Sequence, residues 1–275
     1  MNPVRRILQP PQGKNRSDWL FILPSLLLLA LFGLPLVAVV WRSIGDGFFH
    51  YALAPAALSA LRLSLLTSSL SALLSVACGL PLAYILARWK FRGRTALELL
   101  VDLPVVLPPS VAGLALLIAF GRQGVFGQWL APLGISLPFT TTAVVLAQTF
   151  VAAPLFIRSA KVGFAEIDPQ LEEAAYVEGA GDIQLLRFVM LPLAWRSLLA
   201  GLILAWTRAL GEFGATIMFA GNLEGSTQTM PLAIYLGLER DLGVALALSL
   251  LLVVVSLTLL AVLRKIEKAS HAVSG

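Results

Sequence analysis

The chain has 275 residues, 58% of them hydrophobic and only 13% charged, with a formal net charge of +5; its mean hydropathy is +0.87. Soluble domains carry about a quarter charged residues, so this balance excludes an ordinary soluble fold, and the length accommodates several spans of about 20 residues. The basic excess points to short loops flanking membrane spans, not to nucleic acid.

The N-terminal tail, 1–18, carries Arg5, Arg6, Lys14 and Arg16. The apolar run behind it is too long for a signal core and lacks a small-x-small exit, so it reads as a retained first span. Six apolar segments follow in order, 19–41, 58–87, 99–120, 138–160, 197–221 and 242–263. They predict an all-α integral membrane protein with six transmembrane helices. Lys and Arg concentrate in the tail, in "RWKFRGR" at 88–94, in the long connection (Arg158, Lys161, Arg187, Arg196) and at the C-terminal end (Arg264, Lys265, Lys268). The other loops hold Arg42, Arg122 and Arg240. This alternation predicts that both termini are cytoplasmic. Trp19, Trp41 and Trp89 fall at predicted span ends, where indole prefers the interface. The expected organisation is a cytoplasmic tail over 1–18, a first helix over 19–41, a core over 58–264 with a cytoplasmic loop at about 161–195, and a polar tail over 265–275. The single cysteine, Cys78, lies in an apolar run and reads as an inert small filler.

Span three contains "DLPVVLPPS", with Pro104, Pro108 and Pro109 inside it. Three prolines so close must interrupt the helix. Broken backbone at membrane depth is tolerated only against protein or a water-filled path. A helix restarting near Ser110 presents its positive N-terminal end to that path, which suits an anion; a kink that only shapes the bundle is the equal alternative. Arg62, near the outer end of span two, either attracts anions or reaches out to headgroups.

Residues 161–195 are too polar to span. Asp168 and Pro169 suit an N-cap and a first helical position. The helix they open runs to Glu178, and Gly179-Ala180-Gly181 ends it. Asp182 is then placed to cap a second short helix to about Met190, with Pro192 limiting its continuation. Glu172, Glu173 and Glu178 make this loop a poor match for anionic lipid and a better one for a protein partner.

In span five, Arg208 and Glu212 lie one turn apart, about 18 Å in from Arg196. Charges at that depth are expensive and functional by default. Their spacing allows mutual neutralisation, so a structural ion pair and direct substrate contact both stand.

The loop residues carry a resemblance. Glu173-Ala174-Ala175, three residues, Gly179, nine residues, Val189, one residue and Leu191-Pro192 resemble the EAA motif of ABC importer permeases, with Val189 in place of the usual Ile. The segments "LPPSVAG" (107–113), "GRQGVFG" (121–127) and "RALGEFGATIMFAGNLEGSTQTMPLAIY" (208–235) are similar to the oxyanion branch of that family, molybdate permeases foremost, then sulfate and thiosulfate. The resemblance implies a type I importer permease fold in a bacterial inner membrane. It implies that Glu173, Ala174, Ala175, Gly179, Leu191 and Pro192 form a coupling helix and its exit, docking on a separate ATP-binding subunit. It further implies an extracytoplasmic molybdate-binding protein as partner and two permease chains, most simply a homodimer. Pro108, Pro109, Ser110 and Arg62 are the candidates for the translocation path.

No Walker A pattern occurs; the one Gly-Lys pair, Gly13-Lys14, is followed by Asn15. The chain is therefore expected to bind no cofactor, with ATP on the partner subunit. His50 and His271 both fall outside the predicted spans, so no metal site and no catalytic nucleophile–base pair is expected. The alternatives within this class are a sulfate, thiosulfate or tungstate permease; the rivals from other classes are an ion-coupled secondary transporter and a membrane-embedded enzyme.

Overall fold

A computed structural model describes residues 19–44 and 47–273, and the described residues contain helices and no strand. The expected basic tail, 1–18, lies outside them. The chain divides into two compact units at Asp46 and Gly47.

The first unit contains one long helix, α1 (Trp19–Ser43). Its 25 residues rise about 37 Å, more than the roughly 30 Å of a bilayer's hydrocarbon core. Leu, Phe and Val are exposed all around it, as suits a helix solvated by lipid.

The second unit begins with the short α2 (Phe48–Ala52) and α3 (Pro55–Arg88), a 34-residue helix. It continues through α4 (Arg94–Val106), α5 (Pro109–Phe120), α6 (Gly127–Leu130) and α7 (Thr141–Ala165). Then come α8 (Pro169–Val177), α9 (Asp182–Leu185), a π-helical turn at Leu186–Met190, α10 (Leu191–Leu210), α11 (Gly214–Ala220), α12 (Met230–Arg240) and α13 (Leu242–Val273). Among the described residues five helical stretches are long and apolar enough to span, and there are six if the bent pair α4–α5 is one broken span.

The centre of this unit is α3, α7 and α10. Ala83 and Leu86 of α3, Phe156, Ala160 and Phe164 of α7, and Ala194, Leu198 and Ala205 of α10 form one buried cluster. Lipid tails are as apolar as these side chains, so close approach of backbones rather than exclusion of water holds such helices together. The α7–α10 contact depends on it: a Cβ on Gly163 would lie 2.4 Å from Cβ of Ser197, and one on Gly201 would lie 2.8 Å from Cβ of Ser159. A second cluster joins α5, the first half of α7 and α11.

Five expectations change here. Span three is not one kinked rod: α4 and α5 meet at 117°. Leu107 and Pro108 each precede a proline, which drives them out of the α region, and both are extended (ψ 137° and 135°). Pro104 is accommodated within α4. The second loop helix does not stop before Pro192. The π-helical turn widens the backbone just before the proline, and the helix runs unbroken over Asp182–Leu210. Span five consequently begins and ends earlier than 197–221; it stops at Leu210, and α11 is a separate short helix. Cys78 is exposed on α3 rather than packed inside, and α13 stays helical through Val273, beyond the predicted 263.

Candidate functional site

Two groups of predicted residues sit in different parts of the second unit. The first lies on and around α8. Asp168 accepts a hydrogen bond from the amide of Gln170 at 2.9 Å and Pro169 occupies the first turn. The helix closes through Gly179, whose φ of +86° is left-handed. The amide of Gly179 donates to the carbonyl of Tyr176 and that of Ala180 to Ala175, both at 3.0 Å. This double closure is the Schellman motif, and it requires a left-handed residue at that position. Gly181, not Asp182, caps α9: its amide donates to Oε1 of Gln184 at 2.9 Å. The Asp182 carboxylate instead accepts from the Tyr176 hydroxyl at 2.9 Å, and that bond pushes the Tyr176 phenol's pKa above its ordinary value.

The motif residues divide by face. Glu173, Ala174 and Gly179 are exposed, with Val177 87% exposed beside them and Ile183 of α9 81% exposed. Ala175, Val189 and Leu191 turn inward and pack on the α3–α7–α10 cluster, while Pro192 stays exposed. The long spacing thus joins an outward surface to its own anchor. Among the described residues Glu173 has no ion-pair partner. Glu172 has one: Oε1 lies 2.5 Å from Nη2 of Arg88 at the end of α3, with both side chains mostly buried. Sequence reasoning missed this pair, since Arg88 registered only as one of four basic residues in its loop.

The second group surrounds two helix breaks. Arg208 lies in the last turn of α10, where carbonyl ends favour a cation. Its Nη1 is 2.6 Å from Oε2 of Glu212. The Glu212 side chain is 1% exposed and that of Arg208 33%. Glu212 also accepts from the amide of Ala215 at 2.7 Å, so one carboxylate neutralises the arginine and caps α11. The start of α5 abuts the same break: a Cβ on Gly214 would lie 2.7 Å from Cβ of Pro109 and 3.4 Å from the amide of Ser110. One turn further on, a Cβ on Gly113 would meet the Ala215 carbonyl oxygen at 2.6 Å. Pro108, Pro109 and Ser110 are exposed, and α5 restarts where the prolines dictate. Arg62 is exposed on α3 beside Leu58, Leu65, Leu66 and Ser69. It has no ion-pair partner among the described residues and no contact with the Arg208–Glu212 break.

Other charges also find partners that the sequence did not reveal. Lys161 of α7 contacts Glu98 of α4 at 2.8 Å and Arg158 contacts Asp102 at 2.5 Å. These pairs are more exposed, and each is worth about 0–1 kcal/mol. Among the described residues no cluster of three or more His, Cys, Asp or Glu is arranged to hold a metal.

An all-helical, multi-pass chain with half-length helices meeting at interior breaks and a polar helical loop between spans is a membrane transport component. Residues 79–269 match the family described as binding-protein-dependent transport system inner membrane component. The chain is 42% identical over 249 residues to the molybdenum transport system permease protein ModB of Mycobacterium tuberculosis, covering 90% of this chain and 93% of that one. It is 36% identical over 258 residues to the sulfate transport system permease protein CysT of Salmonella typhimurium, covering 93% and 92%. A bacterial ABC transporter involved in the import of the polysaccharide alginate shares its fold, with a TM-score of 0.75 at 19% identity over 92% of this chain and 96% of that one. The chain belongs to this family of ABC importer permeases. It is a non-catalytic, multi-pass component of the bacterial inner membrane.

Proposed function

We propose that the chain is the translocating subunit of an ATP-driven molybdate importer. It works as one of two copies, with α8 of each seated on an ATP-binding subunit and an extracytoplasmic molybdate-binding protein delivering the anion. The observation that carries this reading is the division of the motif: Glu173, Ala174 and Val177 face out from a short capped helix, while Ala175, Val189 and Leu191 anchor it to the bundle. ATP stays on the partner, and this chain binds no cofactor.

Molybdate is favoured by the oxyanion-branch segments at 107–113, 121–127 and 208–235 and by the higher identity to a molybdenum permease. The interior charge pattern agrees with a path that holds an anion only weakly. Arg208 is neutralised by Glu212, leaving the start of α5 at Ser110 and the exposed Arg62 as mild attractions. Sulfate is the second reading, supported by the 36% identity to CysT over nearly the whole chain. Tungstate, nearly isosteric with molybdate, follows the first.

The test is ATP hydrolysis by the purified complex with its binding protein. Molybdate-loaded binding protein should stimulate hydrolysis and sulfate-loaded protein should not. Stimulation by sulfate alone would replace the first reading with the second.

A further inference from the structure

The α8 helix is joined covalently to α7 on one side and through α9 to α10 on the other. No such link reaches α3, yet α3 is the third member of the central cluster. The last residue of α3 supplies the connection. Arg88 Nη2 donates to the carbonyl of Ile167 at 2.8 Å, just ahead of the α8 cap. The same nitrogen lies 2.5 Å from Oε1 of Glu172 in the first turn of α8, with the two side chains 14% and 16% exposed. The approach to Glu172 is a charge contact rather than an aligned hydrogen bond. Among the described residues these are the only hydrogen bond and the only ion pair between α3 and 166–178.

Neither contact is needed to shape α8, which Asp168 and Gly179 already begin and end. What they do is fix α8 to a rod. From Arg88 back to Ser64 is about 36 Å of continuous helix. At Ser64 the hydroxyl oxygen accepts from the amide of Met230, the first residue of α12, at 2.7 Å in a buried site. The loop before Met230 is buried too: Thr227 and Thr229 are fully enclosed and Gln228 nearly so. A largely buried charge that loses its partner is costly, so displacement of α8 draws α3 with it instead of parting the pair.

We propose that Arg88 is a positioning residue that locks α3 to α8, so that a push on α8 is delivered along α3 to the 222–230 loop. This rests on α8 being the segment that the ATP-binding subunit moves, and the experiment separates the two ideas. In the assembled transporter, with Cys78→Ser as background, a benzophenone maleimide attached at the exposed Val177→Cys reports docking by photocrosslinking to the ATP-binding subunit. Arg88→Gln should keep the crosslink and keep hydrolysing ATP. Uptake per ATP hydrolysed should fall at least about fivefold, the lower end of typical coupling energies between sites. Glu172→Gln, which spares the bond to Ile167, should fall in the same direction by less, and it serves as the primary variant if Arg88→Gln does not insert. Arg88→Glu combined with Glu172→Arg should transport better than Arg88→Glu alone.

Unchanged uptake per ATP in both Gln variants would overturn the proposal. So would loss of the crosslink together with hydrolysis in Arg88→Gln, because Arg88 would then merely shape the docking surface. No crosslink in the chain that retains Arg88 would remove the docking reading and this proposal with it.

Discussion

Among the described residues Glu212 is the one fully buried charged side chain: a carboxylate 1% exposed, held by Arg208 and by the amide of Ala215. The two partners of the pair are not equivalent. Arg208 is one-third exposed, so losing Glu212 leaves a cation that can still reach a polar surface. Losing Arg208 leaves an enclosed anion with one amide. Arg208→Gln should therefore be the worse single change, in the range of about 3–5 kcal/mol for a broken buried pair. Glu212→Gln keeps one carbonyl oxygen, for the Ala215 amide or for Arg208 but not for both, and should cost about 1–3 kcal/mol. The double change to Leu at both positions should cost less than the sum of the two single Leu changes. Thermal unfolding in detergent reads all of these, and additivity in the double variant would show that the pair is not a unit. The spacing of Arg208 and Glu212 was legible in the sequence. The second duty of Glu212, accepting from the first turn of α11, was not read, although Gly211 directly after Leu210 and Arg208 in the last turn are local signs that the helix ends there.

At the scale of elements, α8 and its turn were the best-read part of the chain. Asp168, Pro169 and Gly179 are local signals, and local signals survive into the fold. A Cβ on Gly179 would meet no atom within 4 Å, so any cost of substitution there is purely that of the left-handed backbone. This orders the variants: Gly179→Asn mildest, Gly179→Ala costing about 1–2 kcal/mol relative to glycine, and Gly179→Val worst because a branched Cβ tolerates positive φ least. Uptake per ATP hydrolysed should fall in the same order with the protein still inserted. Equal uptake for Asn and Val would mean that the turn geometry does not matter for coupling. The elements misread were those decided by long-range packing. Pro192 reads as a stop, but the π-helical turn before it lets the helix continue. The 117° bend at Leu107–Pro108 follows from two successive pre-proline residues, which the sequence displayed; its size depends on α5 packing against α11, which the sequence did not. Contacts between distant residues, such as Arg88 with Glu172 or Lys161 with Glu98, have no sequence signature at all.

For the whole molecule, hydropathy and the gapped motif were sufficient to place the chain among permeases, because lipid imposes helices and the motif is long and gapped. What they did not separate is one oxyanion from another. That choice depends on a few donors around the anion, and relatives of both kinds match over about nine-tenths of the chain. The central claim is that transport of molybdate through this chain is driven by ATP on a partner subunit acting on α8. The most direct measurement is molybdate accumulation in proteoliposomes containing the permease and its ATP-binding subunit, with the binding protein outside and ATP inside. Uptake should proceed with all ion gradients collapsed and stop when ATP is withdrawn. Uptake that continues without ATP while an ion gradient remains would contradict the account.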